Sequence, residues 1–101
     1  MKNTERLVWV VYDISEDNPR TKVAKLCKEA GLYRVQKSVF LGTIERNRLD
    51  ELSLQIDDHM DEETDSVYIF PMCEPDFKKV ILKGQAFDRD LVTDEVRALL
   101  L

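Results

Sequence analysis

Asp13 is the side chain of this sequence that is best placed for chemistry, because it ends the most apolar run of the chain. The segment 7–12 holds only aliphatic and aromatic residues, three of them β-branched valines. Such an unbroken run is typical of a central strand covered on both faces. Ligands gather in concave places near strand ends, so this carboxylate is a candidate catalytic or binding group. The alternative is that Asp13 only caps a turn, as aspartate often does.

Basic side chains concentrate in the segment 20–37, although the whole chain has a net charge of −5. Six basic residues and one acidic residue, Glu29, give this segment a local charge of +5. It could bind the phosphates of a nucleic acid, and the guanidinium of Arg34 suits phosphate oxygens. Two alternatives stay open. The lysines could form an ordinary solvated helix face, and Arg34 could make hydrogen bonds at a sheet face or at a subunit contact. The basic residues are Arg20, Lys22, Lys25, Lys28, Arg34 and Lys37.

Acidic side chains concentrate in a second segment, 57–65, which contains six carboxylates and the only histidine, His59. The carboxylates follow no recurring ligand spacing, so the pattern favours a solvated helix end over a metal site. Negative charge repels nucleic acid. We therefore expect this segment to face away from a nucleic-acid partner.

Composition predicts one soluble domain over residues 1–101, because about 100 residues is enough for a single core. Hydrophobic residues make up 44% and charged residues 35%. The sequence has neither an apolar segment near 18 residues nor a signal-peptide pattern, which predicts a cytoplasmic protein without membrane contact. Cys27 and Cys73 lie in apolar settings, and we expect both to be buried and unpaired.

Two helices are predicted from caps and apolar spacing. Asn18 followed by Pro19 is typical of an N-cap and first helical residue. Val23, Leu26, Cys27 and Ala30 would then form a buried stripe that ends at a left-handed Gly31. A second helix is expected from about residue 47 to residue 60.

Strands are predicted over 7–14, over 65–73 and, as two paired strands, within 32–44. Val35, Val39 and Leu41 should share one face of the middle segment, with Phe40 on the other. Pro71 should end the ladder or lie on a sheet edge, and 79–84 is a candidate further strand. The resulting order is β-α-β-β-α-β, an α+β ferredoxin-like fold with both helices on one face of an antiparallel sheet. Its core spans 6–83, and the apolar tail 84–101 must be buried.

The combination of motifs resembles the CRISPR-associated endoribonuclease family called Cas-two, the smaller of the two general adaptation proteins. The matching segments are 10–14 (Val-Val-Tyr-Asp-Ile), 17–20 (Asp-Asn-Pro-Arg), Gly31, 34–40 (Arg-Val-Gln-Lys-Ser-Val-Phe) and 65–69 (Asp-Ser-Val-Tyr-Ile). They cover positions 8–70 in the order and spacing of the family, whereas the sequence beyond Pro71 has little in common with it.

This resemblance implies a ferredoxin-like homodimer in which Asp13 of each subunit holds a divalent metal, Mg²⁺ or an alternative such as Mn²⁺, near the two-fold axis. It implies nuclease activity on RNA or duplex DNA in some members. In others it implies a non-catalytic subunit that bridges dimers of a partner integrase and clamps duplex DNA during spacer acquisition. By position, Tyr12, Arg20, Lys22, Arg34 and Phe40 match places associated with nucleic-acid handling, and the tail 84–101 is expected at the dimer interface. Lys22 stands where many relatives carry arginine.

Three functions follow as hypotheses from these patterns. The first is a metal-dependent nuclease that depends on Asp13, with Arg20 or Arg34 offsetting charge that develops at phosphorus. The second is a structural subunit that clamps duplex DNA through the basic segment. The third is a regulatory module for a small ligand, which no glycine-rich or polar pocket motif supports.

Overall fold

The computed structural model describes residues 4–84 and residue 86, in which seven elements follow one another. None of the helices in this part of the chain is long and apolar enough to cross a membrane. The first six elements have the predicted order β-α-β-β-α-β, and a short third helix follows them. The elements are β1 (Glu5–Asp13), α1 (Asp17–Glu29), β2 (Tyr33–Gln36), β3 (Val39–Glu45), α2 (Arg46–Asp57), β4 (Ser66–Met72) and α3 (Glu74–Phe77).

The four strands form one sheet in the order β2-β3-β1-β4, and every neighbouring pair is antiparallel. The apolar strand β1 is therefore central, as its composition predicts. Val10 lies opposite Phe40 on β3 and opposite Ile69 on β4. Pro71 lies on β4, an edge strand, where its missing N–H breaks no ladder on the outer side. The α+β ferredoxin-like fold is confirmed.

Both long helices cover the same face of the sheet. Alternate residues of β1, namely Val8, Val10 and Tyr12, are at most 3% exposed because side chains along a strand point to opposite faces in turn. Phe40 of β3 joins them with no exposed surface. Full burial of one such side chain contributes roughly 1.5–3 kcal/mol. The helical residues packed against them are Val23, Ala24 and Cys27 of α1 with Leu52 and Ile56 of α2.

The opposite face of the sheet, here called the open face, is covered only in part. Leu7, Val35 and Leu41 are buried there under the α3 segment, and Phe77 packs on Trp9 with ring centroids 6.1 Å apart. Towards the free edge of β4, Tyr68 and Phe70 stack on each other and remain 55% and 45% exposed. The faces of Val35, Leu41 and Phe40 are as predicted.

The prediction of a strand over 79–84 is wrong, because the structure has no strand in that stretch. The short helix α3 intervenes, with Pro75 in its first turn, and Phe77 anchors the segment on the open face instead of on a sheet edge. Apart from Gly84 and Ala86, the tail 84–101 lies outside the described residues, so its packing stays a prediction.

The start of α1 and the end of α2 differ from the predicted ones by two and three residues. α1 begins at Asp17, two residues before the expected start, because the Arg20 N–H already donates to the Glu16 carbonyl at 3.2 Å. Pro19 then lies within the first turn, where a missing N–H breaks no helical bond. α2 ends at Asp57, before the expected residue 60. The left-handed Gly31, with φ of 87°, is confirmed.

The two cysteines are free, as predicted, but only one of them is buried. Cys27 has no exposed surface, since it lies on the side of α1 that packs against the sheet. Burial disfavours the charged thiolate and raises the pKa of Cys27 to about 12. The prediction that Cys73 is buried is wrong: it is exposed, since it follows the edge strand β4 and begins α3.

Candidate functional site

Asp13 lies at the rim between the two faces of the sheet. It is the last residue of β1 and pairs with Ser66, the first residue of β4. Its side chain is exposed, and within the described part of the chain it has no hydrogen bond or ion pair. The next residue, Ile14, is 3% exposed and fixes the chain in the core. The structure therefore presents a free carboxylate on a fixed backbone.

Asp65 fixes the loop that follows Asp13, a role that the sequence reasoning missed. It is only 8% exposed and accepts hydrogen bonds from the Ser15 N–H at 3.0 Å and the Asp61 N–H at 2.9 Å. These two bonds, the Ser15 bond first, hold the pKa of the Asp65 carboxyl below its usual range. The prediction of a solvated acidic segment is thus wrong for Asp65. Its place directly before strand β4 was the available signal.

Arg20 approaches the same loop from the first turns of α1. One of its guanidinium nitrogens, Nη1, donates to the Ile14 carbonyl at 3.2 Å. Nη2 pairs with the exposed carboxylate of Asp17. A solvent-exposed ion pair of this kind contributes little, so a phosphate can compete for the guanidinium. Arg20 is thereby held beside the peptide that follows Asp13.

Arg34 reaches the same end of β1 through the turn between β2 and β3. Its Nε and Nη2 both donate to the Lys37 carbonyl, at 3.1 Å and 2.6 Å. The Tyr12 hydroxyl donates to that same carbonyl at 3.2 Å, and the Tyr12 N–H donates to the Ser38 carbonyl at 3.0 Å. One carbonyl therefore ties Arg34 to the residue that precedes Asp13.

The Tyr12 hydroxyl lies in the electric field of both arginines. Burial raises the pKa of Tyr12, because the phenolate would lose its water, while the positive charges of Arg34 and Arg20 partly oppose this shift. Both guanidinium groups therefore act on one hydroxyl at the carboxyl end of β1. The fold thus links Arg20 and Arg34 to the two residues that flank Asp13: Arg20 bonds to Ile14, and Arg34 shares an acceptor with Tyr12.

Two of the residues predicted to contact nucleic acid are buried. Phe40 has no exposed surface and Tyr12 is 3% exposed, so neither ring can stack on a base in this structure. Both point inward because the core under the helices takes every second residue of their strands. The Arg34 guanidinium lies 5.7 Å from the Phe40 ring centroid. Together, Tyr12 and Phe40 support Arg34 from the side of the core.

Lys22 lies apart from this constellation. It is exposed on α1 and has no ion pair or hydrogen bond within residues 4–84. It follows Arg20 by two positions, so the two side chains point to different sides of the helix. Lys22 is thus available to a phosphate outside the site around Asp13.

At the end of β1 the candidate metal ligand is the one carboxylate of Asp13. Within residues 4–84 no group of three or more His, Cys, Asp or Glu side chains could hold a metal. Both oxygens of Asp65 already accept hydrogen bonds. Mg²⁺ keeps several waters and takes one or two carboxylates together with substrate phosphates. Asp13 therefore fits a magnesium site at its lower limit, and a second Asp13 from another copy would complete the pair.

Comparison with protein families and curated proteins gives consistent matches. The family model described as "CRISPR associated protein Cas2" matches residues 6–80. A CRISPR-associated endoribonuclease Cas2 of Korarchaeum cryptofilum is 38% identical over 85 residues, which cover 77% of this chain and 84% of the relative. A CRISPR-associated endoribonuclease of Archaeoglobus fulgidus, Cas2 1, is 40% identical over 65 residues, which cover 64% of this chain and 69% of the relative.

Solved structures of the same kind share the fold. A crystal structure of cas2 superposes with a TM-score of 0.68 at 30% identity and covers 88% of this chain and 95% of its own. The structure of Streptococcus pyogenes Cas2 at pH 6.5 gives a TM-score of 0.65 at 27% identity, with 77% of this chain and 99% of its own covered. The family match over residues 6–80 spans all four strands, apart from Glu5 at the start of β1, and both long helices.

Proposed function

This chain belongs to the CRISPR associated protein Cas2 family, and from that membership we propose that it is a homodimeric, metal-dependent endonuclease of RNA or duplex DNA in spacer acquisition. The observation that carries the proposal is the free, exposed carboxylate of Asp13 between Ile14, which bonds to Arg20, and Tyr12, which shares an acceptor with Arg34. The named relatives are endoribonucleases, which supports phosphodiester cleavage as the chemistry.

Each side chain at the site has a separate task in this proposal. Asp13 would hold Mg²⁺ or Mn²⁺, which when bound supplies a more acidic water and neutralises phosphate charge. Arg34, fixed by the Lys37 carbonyl, would bind a phosphate with its remaining N–H groups. Arg20 would exchange its exposed bond with Asp17 for a second phosphate oxygen and so offset charge that develops at phosphorus.

A second copy of the chain would complete the site, because one Asp13 per chain is the minimum for a magnesium ion. The open face supports this dimer: Tyr68 and Phe70 expose large apolar surfaces there.

The test of the nuclease proposal is Asp13→Asn, which removes the negative charge and keeps the size of the side chain. We expect it to lower the rate of RNA or duplex DNA cleavage in Mg²⁺ by about 100-fold or more, and EDTA to stop cleavage by the parent protein. Asp58→Asn is the matched control, since Asp58 is exposed and lies in the acidic segment; its rate should equal that of the parent. Equal cleavage by the Asp13→Asn variant would contradict the proposal.

A catalytically silent clamp for duplex DNA that bridges partner integrase dimers is the alternative function. It is favoured by the sparse donor set at Asp13 and by the exposed lysines Lys22, Lys25 and Lys28 along α1. In this case Asp13→Asn would still support integration with the partner integrase. Charge reversal at Arg20 and Arg34 would instead abolish integration. It would also reduce the slope of the logarithm of the DNA-binding constant against the logarithm of the salt concentration by about one for each residue changed.

A further inference from the structure

We propose that Asp65 is a positioning residue for Asp13: it holds the strand end from which the Asp13 carboxylate meets a divalent cation. This inference rests on the proposed function, because it assumes that Asp13 is the metal ligand. It adds a second acidic residue to the site, one that acts through hydrogen bonds to the backbone and not through the metal.

Asp65 makes more hydrogen bonds than any other side chain near the site. Its Oδ1 accepts from the Ser15 N–H at 3.0 Å, the Ser15 hydroxyl at 3.3 Å and the Thr64 hydroxyl at 3.3 Å. Its Oδ2 accepts from the Asp61 N–H at 2.9 Å. With both oxygens engaged and 8% of the residue exposed, Asp65 is not itself free to bind a cation.

These bonds join the two chain segments that flank Asp13. Ser15 follows Asp13 by two residues, and Asp65 directly precedes Ser66, the cross-strand partner of Asp13. Asp13 and Ser66 are the last pair of their ladder, so without a clamp this end of the sheet would fray. Metal ligands need their supporting groups fixed to within about 0.5 Å. Asp65 therefore limits where the Asp13 carboxylate can point.

A carboxylate suits this clamp better than an amide would. Hydrogen bonds from backbone N–H groups to a charged oxygen are shorter and stronger than bonds between neutral groups. In Asp65→Asn, the side-chain amide can accept from Ser15 with its oxygen, but its NH₂ group cannot accept from the Asp61 N–H. The substitution thus removes the hydrogen bond from the Asp61 N–H while it leaves the size of the side chain unchanged.

The experiment is a titration of the full chain with Mn²⁺ alone, without nucleic acid, followed by electron paramagnetic resonance. The variants are Asp65→Asn, Ser15→Ala, Asp13→Asn and the matched control Asp58→Asn, each measured well below its own unfolding temperature. Supporting groups of metal ligands typically change metal affinity by about 10-fold to 100-fold. We expect Asp65→Asn to weaken Mn²⁺ binding about 10-fold, Ser15→Ala about 2-fold to 3-fold, and Asp58→Asn not at all.

The outcomes separate this inference from the proposed function. If Asp13→Asn loses Mn²⁺ and Asp65→Asn binds it as tightly as the parent, the positioning role is overturned while the metal site stands. If Asp13→Asn binds Mn²⁺ like the parent, the metal site of the proposed function fails instead. Should Asp65→Asn not fold, Ser15→Ala decides: weaker binding supports the positioning role, and unchanged binding overturns it.

Discussion

The two faces of the sheet are built from alternate residues of the same strands, yet they are covered in different ways. Under the helices, Val10 and Phe40 have no exposed surface. On the open face, Trp9 and Leu7 are covered by α3, while Tyr68 and Phe70 keep about half of their surface in solvent. The first face is completed by this chain alone. The second exposes aromatic surface that a partner can bury.

The site around Asp13 lies where these two faces meet, and it uses both kinds of construction. Its lower layer, Tyr12 and Phe40, belongs to the closed core and holds Arg34 in place. Its upper layer, the side chain of Asp13, is exposed. Under the proposed function, the core of one chain would position the charged groups, and another copy would supply the second half of the site.

The largest expected difference between the faces is in thiol reactivity. Cys27 belongs to the closed core and its pKa is raised to about 12 by burial, whereas Cys73 is exposed next to α3. The thiolate is the reactive form, so iodoacetamide at pH 8 should modify Cys73 at least about 100-fold faster than Cys27. Mass spectrometry of peptides after timed labelling measures both rates. Equal rates would mean that the helix-covered face opens freely.

Truncation of one phenylalanine on each face gives the next largest effect. Phe40→Ala should lower the free energy of unfolding by about 3–5 kcal/mol, because it leaves a cavity in the closed core. Phe70→Ala is the matched control on the open face and should lower it by about 1 kcal/mol or less in the monomer. Urea denaturation at low protein concentration gives both values. Similar losses at the two positions would contradict the asymmetry between the faces.

The loss of folding stability at low pH tests the hydrogen bonds of Asp65, at the rim between the two faces. Because the pKa of Asp65 lies below its ordinary value of 3.8, the unfolded chain binds more protons than the folded one in that region. Stability from Asp65 is therefore present above about pH 4 and is lost as the pH falls through the folded pKa. Asp65→Asn should be less stable than the parent at pH 6, and the two should converge toward pH 2. Asp58→Asn should follow the parent, and a constant difference at every pH would contradict this role.

The smallest effect on folding is expected for Tyr68→Ser combined with Phe70→Ser. Both side chains are about half exposed, so we expect the unfolding of the monomer to change by about 1 kcal/mol. Dimerisation should weaken much more, because aromatic side chains dominate such contacts. Sedimentation velocity over a range of concentrations measures the shift. An unchanged dimer would show that the second copy binds elsewhere.

Local sequence patterns were sufficient to predict most of the fold. The period of two in the segment that forms β2 and β3 predicted the faces of Val35, Leu41 and Phe40, and Gly31 predicted the end of α1. The start of α1 was predicted at Pro19, two residues too late, because Asn18 followed by Pro19 is typical of an N-cap and a first helical residue. α3 was missed because it has only four residues, and its position depends on the contact between Phe77 and Trp9.

The sequence by itself determined the order of the first six elements, the central place of β1 and the candidate residues Asp13 and Arg34, whereas Arg20 was singled out by the family resemblance. The elements and these two residues follow from periodicity and residue type, which act over a few neighbouring positions. Only the tertiary structure decided that Tyr12 and Phe40 are buried supports, that Cys73 is exposed and that Asp65 bonds to Ser15. Ser15 and Asp65 are 50 positions apart, and such a bond depends on the pairing of β1 with β4, which no local pattern specifies.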